Sequence, residues 1–298
     1  MRNSITVMNA KGGVGKSTLV LTLAETLATH HDKRVLVIDS DAHASISTML
    51  MAPDWLRTIQ AQGRTFVDYL IAVTLKATPA DWRTFVVQDV SDVDDARSID
   101  LLLGGGHLTL FEREVSKGSR EADLRMAIRT FLAEVRDSYD IILIDSAPGL
   151  SVLTECWLRE ADFHLAPAKP DYLSTHALQF LQQFEQRDAQ MGFSESLGVV
   201  ISMKDVHSPE DEQFDRWLRH NIKNRCFEHA IPRASALQTA AYFSVRRRSY
   251  WAKYPGQTGK ILRGLAAELL ERLSAAEARG AEMRRLATRN GPPASKTP

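Results

Sequence analysis

Near the start of the chain, Met8-Asn9-Ala10-Lys11-Gly12-Gly13-Val14-Gly15-Lys16-Ser17-Thr18 follows a short apolar run, Ile5 to Met8, and leads into helical spacing over Ser17 to Thr29. This stretch constrains the fold more than any other. Glycines at 12, 13 and 15 let the backbone turn successive N–H groups inward, and a helix starting on such a turn adds the positive end of its dipole. The result is a phosphate cradle built by Gly12 to Thr18, in which Lys16 would reach the β- and γ-phosphates and the Ser17 hydroxyl would ligate Mg²⁺.

The match to G-x-x-x-x-G-K-[ST] has one departure. Ala10 stands where the first glycine belongs, and an added lysine, Lys11, precedes the glycine pair. K-G-G-x-G-K-[ST] resembles the deviant Walker A motif of the ParA/MinD family of P-loop ATPases, closest to the ParA-type partition and positioning ATPases. That resemblance implies ATP and Mg²⁺ as cofactors and a nucleotide-sandwich homodimer in the ATP-bound state. Lys11 would then reach the phosphates held by the other subunit. A solvated charge at the rim of the loop is the alternative for Lys11.

Beyond the loop, strands and helices alternate. Arg34–Ile38, Ser98–Leu103, Tyr139–Ile144, Ala161–Pro167, Leu197–Ser202 and Phe227–Ile231 are apolar runs of strand length. Helices are expected over 122–135, 153–160, 173–191, 209–224 and 257–279. Runs without polar alternation indicate strands buried on both faces, hence an α/β, doubly wound, mostly parallel sheet with helices on both faces. Residues 1–279 read as one P-loop ATPase domain, with an irregular insert at about 50–98, and 280–298 as a disordered tail containing Gly291-Pro292-Pro293. Inside the insert, Thr65 opens a capped amphipathic helix, Thr78-Pro79-Ala80-Asp81-Trp82 resembles a helix start, and the acidic run Asp89–Asp95 reads as a solvated loop. Gly104-Gly105-Gly106 reads as a strand exit, because no Lys-Ser/Thr follows to make a second phosphate loop.

Carboxylates end two of the strands. Asp39 and Asp41 follow the second, and Asp145 ends the aliphatic run at 139–144, as in a Walker B strand whose aspartate holds Mg²⁺. Ser17, Asp39 and Asp145 are thus the metal candidates. In the resembling family the second aspartate of this D-x-D segment positions or activates the attacking water, which makes Asp41, with Lys11 and Lys16, the catalytic set. The family usually has Pro-Gln after it, where this chain has Ala42-His43. A helix cap is the other reading of Asp41. For the base, no N-K-x-D pattern is present; Met203 ends a strand in the matching region, and Ile231-Pro232-Arg233 resembles the family's I-P-R loop beside adenine.

Composition narrows the partners. Among 298 residues, 37 Lys and Arg balance 37 Asp and Glu, so nucleic-acid binding must come from a local patch. The densest is Phe243–Tyr254, with Arg246, Arg247, Arg248 and Lys253 and no acid; a second is Arg216, Arg219 and Lys223 on the 209–224 helix, where acids first and bases last also suits the helix dipole. Two cysteines, Cys156 and Cys226, are too few for a disulfide scaffold and favour a reducing cytoplasm; they are not spaced as in the cluster-binding nitrogenase iron proteins. No run is long and apolar enough to span a bilayer, and the C-terminal segment lacks the amphipathic anchor of membrane-bound MinD proteins.

The expectation is therefore a bacterial-type, cytoplasmic, nucleoid-associated ParA-like ATPase. It would bind double-stranded DNA non-specifically as an ATP dimer and release it when a ParB-like protein or cargo adaptor stimulates hydrolysis. A small-molecule P-loop enzyme (kinase- or ligase-like) and a MinD-like membrane-associated ATPase are the alternatives.

Overall fold

A computed structural model describes residues 2–187, 192–222 and 225–289. In chain order the elements are β1 (Ser4–Val7), α1 (Lys16–His31), β2 (Val35–Ser40), α2 (Ser45–Leu50), α3 (Pro53–Ala61), α4 (Phe66–Leu70), β3 (Val86–Val87), β4 (Ile99–Leu102), α5 (His107–Lys117) and α6 (Glu121–Val135). Then follow β5 (Ile141–Ser146), α7 (Val152–Glu160), β6 (Phe163–Ala168), α8 (Tyr172–Arg187), β7 (Glu195–Ile201), α9 (Pro209–Asn221), α10 (Ser235–Ala240), α11 (Tyr250–Lys253) and α12 (Gly256–Arg289). The strands form a seven-stranded sheet in the order β3-β4-β2-β5-β1-β6-β7, parallel except for the short edge strand β3. This is the doubly wound, mostly parallel α/β sheet that the apolar runs imply.

The pleat sorts each strand into two cores. Val35, Val37, Ile141 and Leu143 pack with α1 and α12, while Leu36, Ile38, Ile142 and Ile144 pack with α4, α6 and α7. At the β6-β7 edge, Ala166, Ala168, Val199 and Ile201 close a smaller core against Leu178 and Leu218. Because the strands that lead into helices all run parallel, their strand-to-helix turns lie together at the carboxyl edge of the sheet, where ligands of such folds bind.

Several local expectations are corrected. Phe227–Ile231 is not a strand: the N–H groups of Phe227 and Ile231 do pair with Val199 and Ile201, but those of Glu228 and His229 go to the Glu268 carboxylate, which interrupts the ladder. Thr78–Trp82 opens only a single 3₁₀ turn, Trp82–Thr84, capped by Asp81. The acidic run is solvated only in part: Asp89, Asp94 and Asp95 are exposed, but its middle is not. Val90, Asp92 and Val93 are fully buried, Asp92 because cations from a distant part of the chain neutralise it. Thr65 caps α4 through a capping box with Asp68, as expected, and the helix continues as a π-helical turn, Ile71–Leu75. The last helix passes the expected end at 279 and runs to Arg289, since Ala, Glu, Arg, Met and Leu dominate 280–289 and all favour helix. Residues 290–298 of the expected tail lie outside the described residues. Among those described, no helix is long and apolar enough to cross a membrane.

Candidate nucleotide site

The 8–18 segment joins β1 to α1 in the middle of the sheet. Gly15 is the N-cap of α1 at φ +87°; no side chain caps the helix and no acid sits in its first turn. The leading N–H groups of α1 are thereby left to an outside acceptor, with the dipole's positive end behind them. Gly13 and Gly15 both take left-handed backbone that a side chain would strain. Buried Asn9 shapes the loop: its side-chain amide donates to the Pro167 carbonyl at 2.7 Å, and its oxygen accepts from the Lys11 N–H at 2.9 Å. The Ser202 hydroxyl holds the Val14 carbonyl at 2.6 Å. Lys16, first residue of α1, is buried; burial lowers its pKa, and the charges of Asp145 and Asp41 oppose that shift.

The register of β2 and β5 sets Asp39 opposite Asp145, both fully buried. Asp39 is well supplied with donors: the Ser47 hydroxyl at 2.6 Å, the Ser47 N–H at 3.0 Å and the Asp41 N–H at 3.2 Å. Burial still pushes its carboxyl up to about 6. Neither oxygen of Asp145 has a hydrogen-bond partner. Burial first, and the charge of Asp39 second, raise its pKa well above the usual carboxylate range. The Ser17 hydroxyl and the Lys16 ammonium favour the charged form, Ser17 from nearby without a bond of ordinary geometry. A buried carboxylate with orphaned oxygens, beside a hydroxyl and a second carboxylate, has the donor chemistry of a Mg²⁺ site. Asp145 and Ser17 would hold the ion, with Asp39 behind them. Among the described residues no three His, Cys, Asp or Glu side chains are grouped to hold a metal unaided, so phosphate oxygens would complete the shell. When bound, the ion supplies charge neutralisation at the phosphates.

Asp41 lies beside this pair. Its Oδ1 accepts from the His43 N–H and meets His43 Nδ1, both at 2.9 Å, so the residue that departs from the family pattern is the one in contact with the candidate water-activating carboxylate. Gly104 also belongs to the site. A Cβ there would lie 2.6 Å from the Asp39 carboxyl carbon and 2.9 Å from the Asp41 carbonyl, and its N–H donates to the Ser47 hydroxyl at 3.1 Å. The signal was the triple glycine, whose first member serves close approach to the D-x-D segment.

Lys11 is engaged elsewhere in the single chain. Its ammonium contacts both oxygens of Asp171 at 3.0 Å and the Ser174 hydroxyl at 3.1 Å, at the start of α8. Nothing in the sequence marked Asp171 for this. On the base side, Met203, Pro232 and Arg233 line one cavity of about 290 Å³ with Gly15 and Thr18, directly behind the loop.

The candidate DNA residues are scattered by the fold. Arg246 is exposed, Arg247 pairs with Asp89 at 3.0 Å and Arg248 with Asp92 at 2.8 Å. Lys253 is a correction: it is buried between Glu25 at 2.7 Å and Asp92 at 2.6 Å, where no phosphate can reach it. On α9, Arg216 is exposed, whereas Arg219 pairs with Asp215 and donates to the carbonyls of Phe227 and Glu228, fastening that segment. Lys223 lies outside the described residues.

The AAA_31 family model, described as an AAA domain, matches residues 2–194. The chain is 28% identical over 280 residues to the chromosome-partitioning ATPase Soj of Treponema pallidum, spanning 91% of this chain and 98% of that one. Its fold matches a putative plasmid partition protein of Borrelia burgdorferi bound to AMPPNP, with a TM-score of 0.67 and 21% identity over 93% of this chain and 100% of that one. It also matches a cobyrinic acid a,c-diamide synthase of Mycobacterium smegmatis with bound ADP and magnesium, with a TM-score of 0.69 and 20% identity over 93% and 97%.

Proposed function

The chain belongs to the AAA_31 family, and from that premise we propose that it is a ParA-like partition or positioning switch, hydrolysing ATP to ADP and phosphate. The observation that carries the reading is the conjunction of a deviant loop, with Lys11 at its rim, and the Lys16, Ser17, Asp39, Asp41 and Asp145 cluster at the ends of β1, β2 and β5. Lys16 and the leading N–H groups of α1 bind the phosphates; Asp41, held by His43, orients the attacking water. An ordinary phosphate loop has no use for Lys11. In this reading Lys11 leaves Asp171 and reaches the nucleotide of a second copy, so that ATP completes a homodimer and hydrolysis dissolves it.

The dimer binds duplex DNA through phosphate contacts from exposed arginines, with Arg246, Arg247 and Arg216 as the candidates that remain at the surface. A ParB-like protein or cargo adaptor stimulates hydrolysis and release. The reading is tested by sedimentation and by retention of a duplex of arbitrary sequence, with a non-hydrolysable ATP analogue and with ADP. The parent dimerises and retains DNA only with the ATP analogue; Lys11→Ala binds the analogue but does neither. An unimpaired Lys11→Ala dimer rejects the sandwich. Failure of DNA to bind or to stimulate hydrolysis replaces the switch by the small-molecule enzyme reading.

A further inference from the structure

The cavity behind the phosphate loop has an unusual wall. Ile231, Pro232, Ala234, Leu237 and Ala241 make it apolar, and Met203 closes one side, held at φ +56° with its side chain packed toward Gly15. A single aromatic residue lines it, Tyr242, and this residue is 76% exposed. Among the described residues Tyr242 makes no ring–ring or cation–π contact. A tyrosine so placed exposes an apolar face that a ligand could cover.

Its backbone is nevertheless fixed. The Tyr242 N–H bonds the Thr239 carbonyl at 3.1 Å, and its own carbonyl accepts from Arg248 Nη2 at 3.1 Å. That guanidinium is in turn paired with buried Asp92, whose other contacts include the Ser244 N–H at 2.9 Å. The turn carrying Tyr242 is therefore tied to buried Asp92 on its C-terminal side, through Ser244 and Arg248, and Arg248, a DNA candidate by sequence, is a positioning residue for it.

Resting on the nucleotide reading above, we infer that Tyr242 is the platform on which the base of the bound nucleoside triphosphate stacks, opposite the Met203 side of the cavity. The lining holds no Asp or Glu to pair with the donor edge of guanine. Stacking is tolerant of base identity, so Tyr242 supplies affinity for a flat heteroaromatic ring and does not select which one.

The test measures dissociation constants of the full chain for ATP, GTP and inorganic tripolyphosphate, each with Mg²⁺, by calorimetry. Tyr242→Ala weakens ATP and GTP alike by about tenfold. Tyr242→Phe stays within about twofold of the parent, because the ring face is kept. Tripolyphosphate binds all three proteins equally. Parental ATP affinity in Tyr242→Ala overturns the inference, as does an equal loss for tripolyphosphate, which would mean that the ring supports the phosphate loop. If the parent binds tripolyphosphate no better than it binds inorganic phosphate, the phosphate-cradle reading itself fails and the inference falls with it.

Discussion

Two groups of buried charges flank α1, and they are opposites. At its start, Lys16, Asp39 and Asp145 meet with both oxygens of Asp145 unpaired. Further along, Glu25 faces the cluster of Lys253, Asp92 and Arg248. There Lys253 bridges both carboxylates, the Tyr254 hydroxyl donates to Glu25 at 2.6 Å and the Ser91 hydroxyl at 2.7 Å. Both clusters remove charge from water, which is costly unless partners compensate. The second is compensated within the chain, and it joins α1, the 89–96 segment and the 243–254 segment into one body. The first is left short of positive charge, and of donors at Asp145, and that deficit is what a metal–nucleotide complex can relieve. A buried charge that is satisfied is structural, and one left unsatisfied points to a ligand.

The sharpest way to break this contrast is at Lys253. Lys253→Ala strands Glu25 and Asp92 without their shared ammonium and lowers stability by about 3–5 kcal/mol. Urea unfolding reads this directly, and a stability equal to the parent would mean that the cluster is not the brace described. Next in size is Asp41→Ala, expected to lower ATP turnover by about 10²-fold with the urea midpoint unchanged. A steady-state phosphate-release assay decides it; parental turnover would leave Asp41 as no more than the partner of His43.

The third and smallest effect has the opposite sign. Burial holds the Asp145 pKa above its unfolded value, so between those two values the folded chain binds more protons than the unfolded chain, and the nucleotide-free protein loses stability as pH rises. Asp145→Asn removes that dependence. It should raise the Tm of the nucleotide-free protein by about 3 °C at pH 7.5, with the gain shrinking toward pH 4. The same substitution should weaken Mg²⁺-dependent ATP binding. A variant melting below the parent at pH 7.5 would mean that Asp145 is compensated in the free protein after all.

The sequence by itself determined the phosphate loop, the strand–helix alternation and the acids at 39, 41 and 145, because each is a local pattern. Glycines set the loop, aliphatic runs set the strands, and the strand ends carry the acids to the same edge of a parallel sheet. Lys11, Asp171 and His43 show where that reach stops: the lysine could be singled out, but its present partner lies 160 residues away and had no local mark. The triple glycine was visible at 104–106, yet its purpose depends on the approach of Asp39, which only the packed sheet creates. Within the basic run at 246–253, Lys253 was the misreading. Charge density along a chain says nothing about which side chains face water: Arg248 and Lys253 became internal ties to Asp92 and Glu25, while Arg246 and the Arg247–Asp89 pair stay at the surface. Tyr242 was decided in the same way: it lines the cavity behind the phosphate loop, on a turn that Asp92, 150 positions earlier in the sequence, anchors through Arg248.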